Sequence, residues 1–251
     1  MQKLLLGTAL AVALVLPAMP CLAQAAEEGG DDGAWSVSGG VTAVSDYVWR
    51  GVSQTQGDPT LQGELTLEHA SGFYAGAWAS GVDFTAPDDE DDGIDYELDG
   101  YIGWAGDLGE HADLDVFVSR VTYPGAKSGY GIDYTEIEAT LGFAEYYHVG
   151  MAYSPDIFKL GARGLYYNAG AEFPLGDSGF NLKLQTGWYD LDAAAGDSYG
   201  DYLVGVSREF GPIHAELQYT DTYSYGPELS ENLDDADQAD GRVALLVGWK
   251  F

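Results

Sequence analysis

Alternation with period two governs this chain, and its last segment shows it most plainly: Val243, Leu245, Val247, Trp249 and Phe251 hold every second position up to the C-terminus. Successive side chains of a β-strand point to opposite faces. This segment therefore offers one unbroken apolar face and a second face carrying Arg242, Ala244 and Lys250. The pattern recurs. Leu61, Leu65 and Leu67 alternate with Gln62, Glu64 and Glu68, while Phe180, Leu182, Leu184 and Trp188 alternate with Asn181, Lys183 and Gln185. Similar segments cover 35–49, 74–84, 94–104, 112–123, 132–143, 146–153, 163–173, 201–210 and 213–221. That makes twelve strands, most of about 9 to 13 residues, near the length that crosses a bilayer at a tilt.

The connections carry independent information. Residues 50–60, 85–93, 124–131, 154–162, 190–200 and 222–241 form long ones, and 69–72, 105–111, 144–145, 174–179 and 211–212 shorter ones, in strict alternation. A membrane barrel has short turns at one end and long loops at the other. Each unpaired backbone group in hydrocarbon costs several kcal/mol, so strands lying in lipid must close into a ring. The predicted fold is all-β: an antiparallel transmembrane β-barrel of about twelve strands. Two aromatic belts are expected, with Trp35, Phe73, Trp104, Phe143, Phe173, Phe180, Phe210 and Trp249 toward the short turns. Tyr47, Trp49, Phe84, Tyr123, Tyr134, Tyr153, Trp188, Tyr202 and Tyr223 fall toward the long loops. Such belts anchor a barrel at its two interfaces, and some of these rings, favoured in any strand, are expected to serve packing instead.

The two ends of the chain supply an address. Lys3, the apolar run from Leu4 to Leu16 and the small residues up to Ala25 read as a signal peptide over 1–25, with Cys21 inside the discarded part. An acidic tail over 26–33 precedes the barrel over 34–251. The alternation Val247, Trp249, Phe251, ending on an aromatic, resembles the signal by which bacterial outer-membrane barrels are recognised for assembly. The expected location is the outer membrane of a Gram-negative bacterium, with both termini periplasmic. The implied partners are its lipid and lipopolysaccharide and the barrel-assembly machinery.

Charge narrows the function. The chain carries 41 acidic against 10 basic residues, a formal net charge of −31. Such a surface repels phosphates, so nucleic acid is excluded as a partner. The acidity suits either a path for cations or a solvated surface in a saline habitat. On the polar phases of the strands lie Glu64, Glu68, Asp95, Glu97, Asp99, Asp113, Asp115, Glu136, Glu138 and Glu216, with fewer cations, chiefly Lys183, Arg242 and Lys250. In an open lumen these acids would concentrate cations; the other reading is that they pair with neighbouring strands or face bulk water. Arg50, Arg120 and Arg163 fall near strand ends on the long-loop side, placed to pair with acids or tether loops.

The acidic stretch 88–95 is the sharpest local motif. Asp88, Glu90, Asp92 and Gly93, with Asp99 in twelfth place, approach a calcium-binding EF-hand loop. Glu in third place, Asp where a bidentate Glu belongs and a following strand instead of a helix all depart from it. Loosely held Ca²⁺ or Mg²⁺ is the ion such a cluster suggests, against the simpler reading of a solvated loop; no other cofactor is implied. Asp234, Asp235, Asp237 and Asp240 form a second cluster of the same kind. His69, His111, His148 and His214 sit in turns or on polar strand faces, without a G-x-S-x-G or H-E-x-x-H motif, so no catalytic role is expected.

Residues 45–63 (Ser-Asp-Tyr-Val-Trp-Arg-Gly-Val-Ser-Gln-Thr-Gln-Gly-Asp-Pro-Thr-Leu-Gln-Gly), with 71–76 and 78–80, resemble the opening of the TorF family of porin-like proteins of proteobacterial outer membranes. The likeness covers 37–84 and extends to Tyr123-Pro124 and to Tyr153-Ser154-Pro155. It implies an outer-membrane barrel with a porin role and brings no catalytic residues. The expected function is a channel for small solutes or cations. The alternative is a closed structural or adhesive barrel whose loops bind divalent cations, lipopolysaccharide or a partner.

Overall fold

A computed structural model describes residues 34–84, 92–233 and 236–251. The expected signal peptide, Cys21 and the acidic tail lie outside the described residues. The chain opens with β1 (Trp35–Val44) and two short strands, β2 (Val48–Trp49) and β3 (Val52–Ser53), that pair with each other apart from the main sheet. Eleven longer strands follow: β4 (Thr60–His69), β5 (Phe73–Gly81), β6 (Tyr96–Asp107), β7 (Ala112–Thr122), β8 (Tyr134–Phe143), β9 (Tyr147–Ser154), β10 (Gly164–Pro174), β11 (Phe180–Asp190), β12 (Tyr199–Phe210), β13 (Ile213–Tyr223) and β14 (Arg242–Lys250). Two helical turns, α1 (Asp192–Ala195) and α2 (Pro227–Asn232), lie in long connections.

β1 and β4–β14 form a closed antiparallel ring of twelve strands in which each pairs with its neighbour in sequence. The seam joins β1 to β14 in the register Gly40↔Lys250 to Val44↔Leu246. The terminal residue completes it. Phe251 exchanges both backbone hydrogen bonds with Gly39, at 3.0 and 3.1 Å, and its ring covers Gly39, leaving no room there for a Cβ.

The period-two pattern sets which side faces out. Val37, Val41, Leu61, Leu65, Ile102, Leu217, Val243 and Leu245 are exposed, whereas Thr42, Gln62, Ser119, Glu216 and Gln218, on the alternate phase, are buried in the interior. An exterior of this kind is stable in hydrocarbon and would aggregate in water. The belt at the short-turn end forms, with Trp35, Phe73, Phe210 and Trp249 all outside.

The expected belt at the long-loop end is corrected. Tyr153, Trp188 and Tyr223 face outward, but Tyr47, Tyr123 and Tyr134 are buried. Tyr123 and Tyr134 share the inward phase with Ser119 and Glu136, whereas the burial of Tyr47 has its cause in the first connection. Asp46 accepts hydrogen bonds from the hydroxyls of Ser53 and Thr55, and Tyr47 N–H donates to Thr55 Oγ1. These short-range bonds reverse the chain just beyond Val44 and end β1 five residues earlier than alternation alone predicts. Residues 45–59 then turn into the barrel.

Deleting Phe251 removes the two terminal seam bonds and the ring over Gly39. The truncated protein is expected to yield several-fold less heat-modifiable, protease-resistant barrel in membranes; equal yields would show that the terminal residue does not contribute to assembly.

Candidate functional site: the barrel interior

The short pair β2–β3 is a two-residue hairpin. Trp49 pairs with Val52, and the linking Arg50 and Gly51 both have positive φ, 48° and 83°. Two left-handed central residues are what a tight turn matching strand twist requires. Gly51 has a second reason to be glycine, since a Cβ there would meet Thr222 Cγ2 at 2.7 Å and Asp201 Cβ at 2.9 Å. The tip of the hairpin thus abuts the wall at β12 and β13.

Arg50 is the fixed point. Its side chain has no solvent exposure, and its guanidinium donates to both carboxylate oxygens of Glu136 on β8, at 3.1 and 2.7 Å. It also lies against three rings, with centroids at 4.1 Å for Trp49, 4.4 Å for Tyr166 and 4.6 Å for Tyr189. Burial works against the charge, but Glu136, Tyr189 and Glu138 together outweigh it and hold the guanidinium well above its ordinary range. Tyr166 is locked in turn: its ring crosses Gly187, where a Cβ would clash, and its hydroxyl donates to Asp201. At the foot of the hairpin, Arg242 on β14 donates to Asp46 at 3.0 Å. The hairpin is therefore held from β8, β10, β11 and β14 together.

The acids expected to line the interior are distributed unevenly. Glu97 and Asp99 on β6 and Glu136 and Glu138 on β8 are buried in the half nearer the long loops, with Tyr47 donating to Glu97 at 3.3 Å. Asp99 is fully buried, and neither of its carboxylate oxygens receives a hydrogen bond from a protein donor. Asp115 on β7 lies nearer the short turns and accepts from Tyr74. Glu64 and Glu68 on β4 are half-buried on the inward phase, and Ser38 donates to Glu68 at 3.4 Å.

On the wall formed by β11–β14 the polar groups are mixed. Lys183 pairs with Glu216 at 3.4 Å, Lys250 with Glu209 at 3.2 Å, and His214 bridges Glu209 at 2.8 Å and Glu216 at 3.6 Å. One wall of the interior is acidic and the other close to balanced.

Several expectations change. Asp95 precedes β6 and is exposed, because the buried position at the rim is taken by Ile94. Arg50 pairs with one of the expected acids, Glu136, but does so in the interior and not at a strand end. Arg120 and Arg163 do tether the rim, to Asp133 at 3.5 Å and Asp190 at 3.4 Å. Of the EF-hand-like run, the twelfth residue, Asp99, belongs to β6. Asp92 caps the chain locally, accepting from Ile94 N–H at 2.8 Å; Asp88, Glu90, Asp234 and Asp235 lie outside the described residues. Among the described residues no three His, Cys, Asp or Glu side chains are grouped to hold a metal ion.

Sequence reasoning missed the clamp of Trp49, Tyr166 and Tyr189. One signal for the hairpin was present: two β-prone pairs, Val48-Trp49 and Val52-Ser53, flank a two-residue link that ends in glycine.

A family profile described as a bacterial protein of unknown function, Gcw_chp, matches residues 28–247. The chain belongs to the Gcw_chp family. A search of curated proteins finds no match. Among solved structures, the KdgM porin is similar at 7% identity and a TM-score of 0.54, over 85% of this chain and 99% of that one. A KdgM porin in complex with disordered oligogalacturonate is similar at 6% identity and a TM-score of 0.52, over 86% and 99%. The NanC porin follows at 10% identity and 0.51, again over 86% and 99%. At such identities the likeness is one of fold, a porin-like barrel of matching size.

The Arg50–Glu136 pair generates a prediction. Removing one partner leaves a buried charge uncompensated, which costs about 3–5 kcal/mol. Arg50→Ala and Glu136→Ala should each free the hairpin and speed hydrogen exchange at the Gln54 amide, which donates to Tyr47 O. The double variant should lose less than the sum of the two; additive losses would show that the pair does not hold the hairpin.

Proposed function

We propose that this Gcw_chp protein is an outer-membrane channel for small solutes or cations whose first loop narrows the bore. The observation that carries the reading is a twelve-strand ring with a polar, charged interior crossed by an anchored hairpin. A barrel with a purely structural task has no need of buried carboxylates, since burying charge is costly. Porin-like neighbours of matching length and the resemblance of 37–84 to the TorF porin-like proteins support the same conclusion. In this reading the long loops face the exterior and the termini the periplasm, the arrangement of bacterial barrels with an even strand number. The lipid, lipopolysaccharide and barrel-assembly partners follow from that location.

The acidic wall on β6–β8 points to cations or uncharged solutes. Oligogalacturonate, named with one KdgM structure, is a polyanion that such a wall would repel. Loosely held Ca²⁺ or Mg²⁺ at the acidic long loops is compatible with either function. One observation favours the second reading, a closed barrel acting through its loops. Asp99, Ser154 and Tyr166 have no exposure, so the interior is filled at the level of the hairpin.

Single-channel recording from refolded protein in a planar bilayer under a salt gradient separates the two. The wild type is expected to give small steps with a cation-selective reversal potential, and deletion of 48–53 steps several-fold larger. Glu97→Gln combined with Glu138→Gln should weaken the cation preference, because lumenal charge sets ion selectivity. Folded protein that stays silent with and without the hairpin would overturn the channel reading and favour the closed barrel.

A further inference from the structure

Above the clamped hairpin, at the long-loop end, lies a cavity of about 240 Å³ to which each of the six long connections contributes. Its walls are aromatic and aliphatic, the latter including Ile94, Leu191 and Leu233. Phe84, Tyr123, Tyr130, Phe158, Tyr199 and Tyr225 line it, and Trp49 and Tyr189 form the part nearest Arg50. Most of these rings are in edge-to-face contact: Phe84 with Tyr123 at 5.5 Å, Trp49 with Phe158 at 6.0 Å and Tyr199 with Tyr225 at 5.2 Å. The pattern is that of a braced enclosure, since edge-to-face packing fixes each ring against its neighbour.

Charges of both signs surround this cavity: Lys127 donates its backbone N–H to Asp92 O at 2.7 Å, and Lys159 stands between Phe158 and Leu160 of the lining. Among the described residues no Lys, Arg or His belongs to the lining itself, and Asp92, the last residue of the acidic run 88–92, is its one carboxyl group. Arg50 lies close by, but its charge is already spent on Glu136 and on one face of Trp49 and Tyr189. Aromatic faces attract cations through the ring quadrupole, most strongly where water is excluded, and enclosures of several rings recognise alkylated ammonium groups. An anion would meet a carboxylate, a wall without a donor cation and a chain of net charge −31. The volume falls below the roughly 300–1,000 Å³ of pockets for drug-sized ligands, which suits a compact head group.

We infer that this cavity is a binding site for a small organic cation, an alkylated ammonium group held by the rings with Asp92 as its counter-charge. The site goes beyond the channel reading and does not depend on it, because it is read by binding and not by conductance. Gln54 and Asn232 are also in the lining, their amide NH2 groups already donating to Val52 O and to Ala195 O and Glu228 O.

The test is titration calorimetry on the refolded full chain in detergent, with choline chloride compared against 3,3-dimethylbutan-1-ol, its uncharged isostere, and against D-glucose. Choline is expected to bind saturably and at least tenfold more tightly than either. Tyr225→Leu and Phe84→Leu should each weaken choline several-fold while the barrel stays heat-modifiable. Asp92→Asn, whose amide oxygen can still accept from Ile94 N–H, should weaken choline and leave the isostere unchanged. Equal affinity for choline and its isostere would show an apolar pocket with no preference for charge. Tighter binding of glucose would assign the rings to a neutral sugar, and absence of saturable binding to any probe would remove the site. Each of those three results overturns the inference, and none of them bears on whether the barrel conducts.

Discussion

Closure of the ring is the constraint from which everything else in this structure follows. An exterior of Val, Leu, Ile and aromatic side chains places the strands in hydrocarbon, where a free edge would leave a row of unpaired amides and carbonyls. β1 must therefore meet β14, and it does so to the last residue, with Phe251 completing the ladder opposite Gly39. Once closure is imposed, the alternate phase of every strand faces a common interior. Twelve strands enclose too much space for their own side chains to fill, so the content of that interior becomes a separate problem.

The chain solves it differently at its two ends. Toward the short turns, Glu68, His148, Glu172 and Lys183 are half-buried, with polar groups matched among β11–β14. Toward the long loops, the first connection folds inward and its Trp49 packs on Tyr189 of β11, which in turn meets Tyr166 of β10 and Tyr199 of β12. Apolar packing alone would not fix where the hairpin sits, because flat rings can slide over one another. The bidentate geometry between Arg50 and Glu136 supplies a direction as well as an attraction. Apolar area and directed charge thus have different tasks at the same point, one filling the bore and the other setting the register of the hairpin within it.

The outward half of this architecture was legible in the sequence, and the inward half largely was not. Lipid makes one demand of every outward position, so Leu61, Leu65 and Leu67 or Val243, Leu245 and Val247 announce their face without knowledge of anything else. Strand limits follow closely: β7 and β8 begin and end within two residues of where alternation places them. Inward positions answer to partners far along the chain. Tyr47 and Tyr134 look like interfacial rings until Trp78 and Phe158 are brought against them. Asp95 and Glu97 share a polar phase, yet they separate at the rim where β6 starts. Arg50 reads as one more loop cation, because nothing local to it mentions Glu136.

That distance along the chain has a consequence for how the molecule is put together. The bonds that hold the hairpin join residues 86 apart, in Arg50 and Glu136, and 196 apart, in Asp46 and Arg242. Contacts at such separation form late, after loops of matching length have closed. Arg242 belongs to the last strand, the one that seals the seam, so its bond to Asp46 cannot exist while the ring is open. The hairpin therefore finds its full set of partners only in a finished barrel, and its docking serves as a chemical record that assembly is complete.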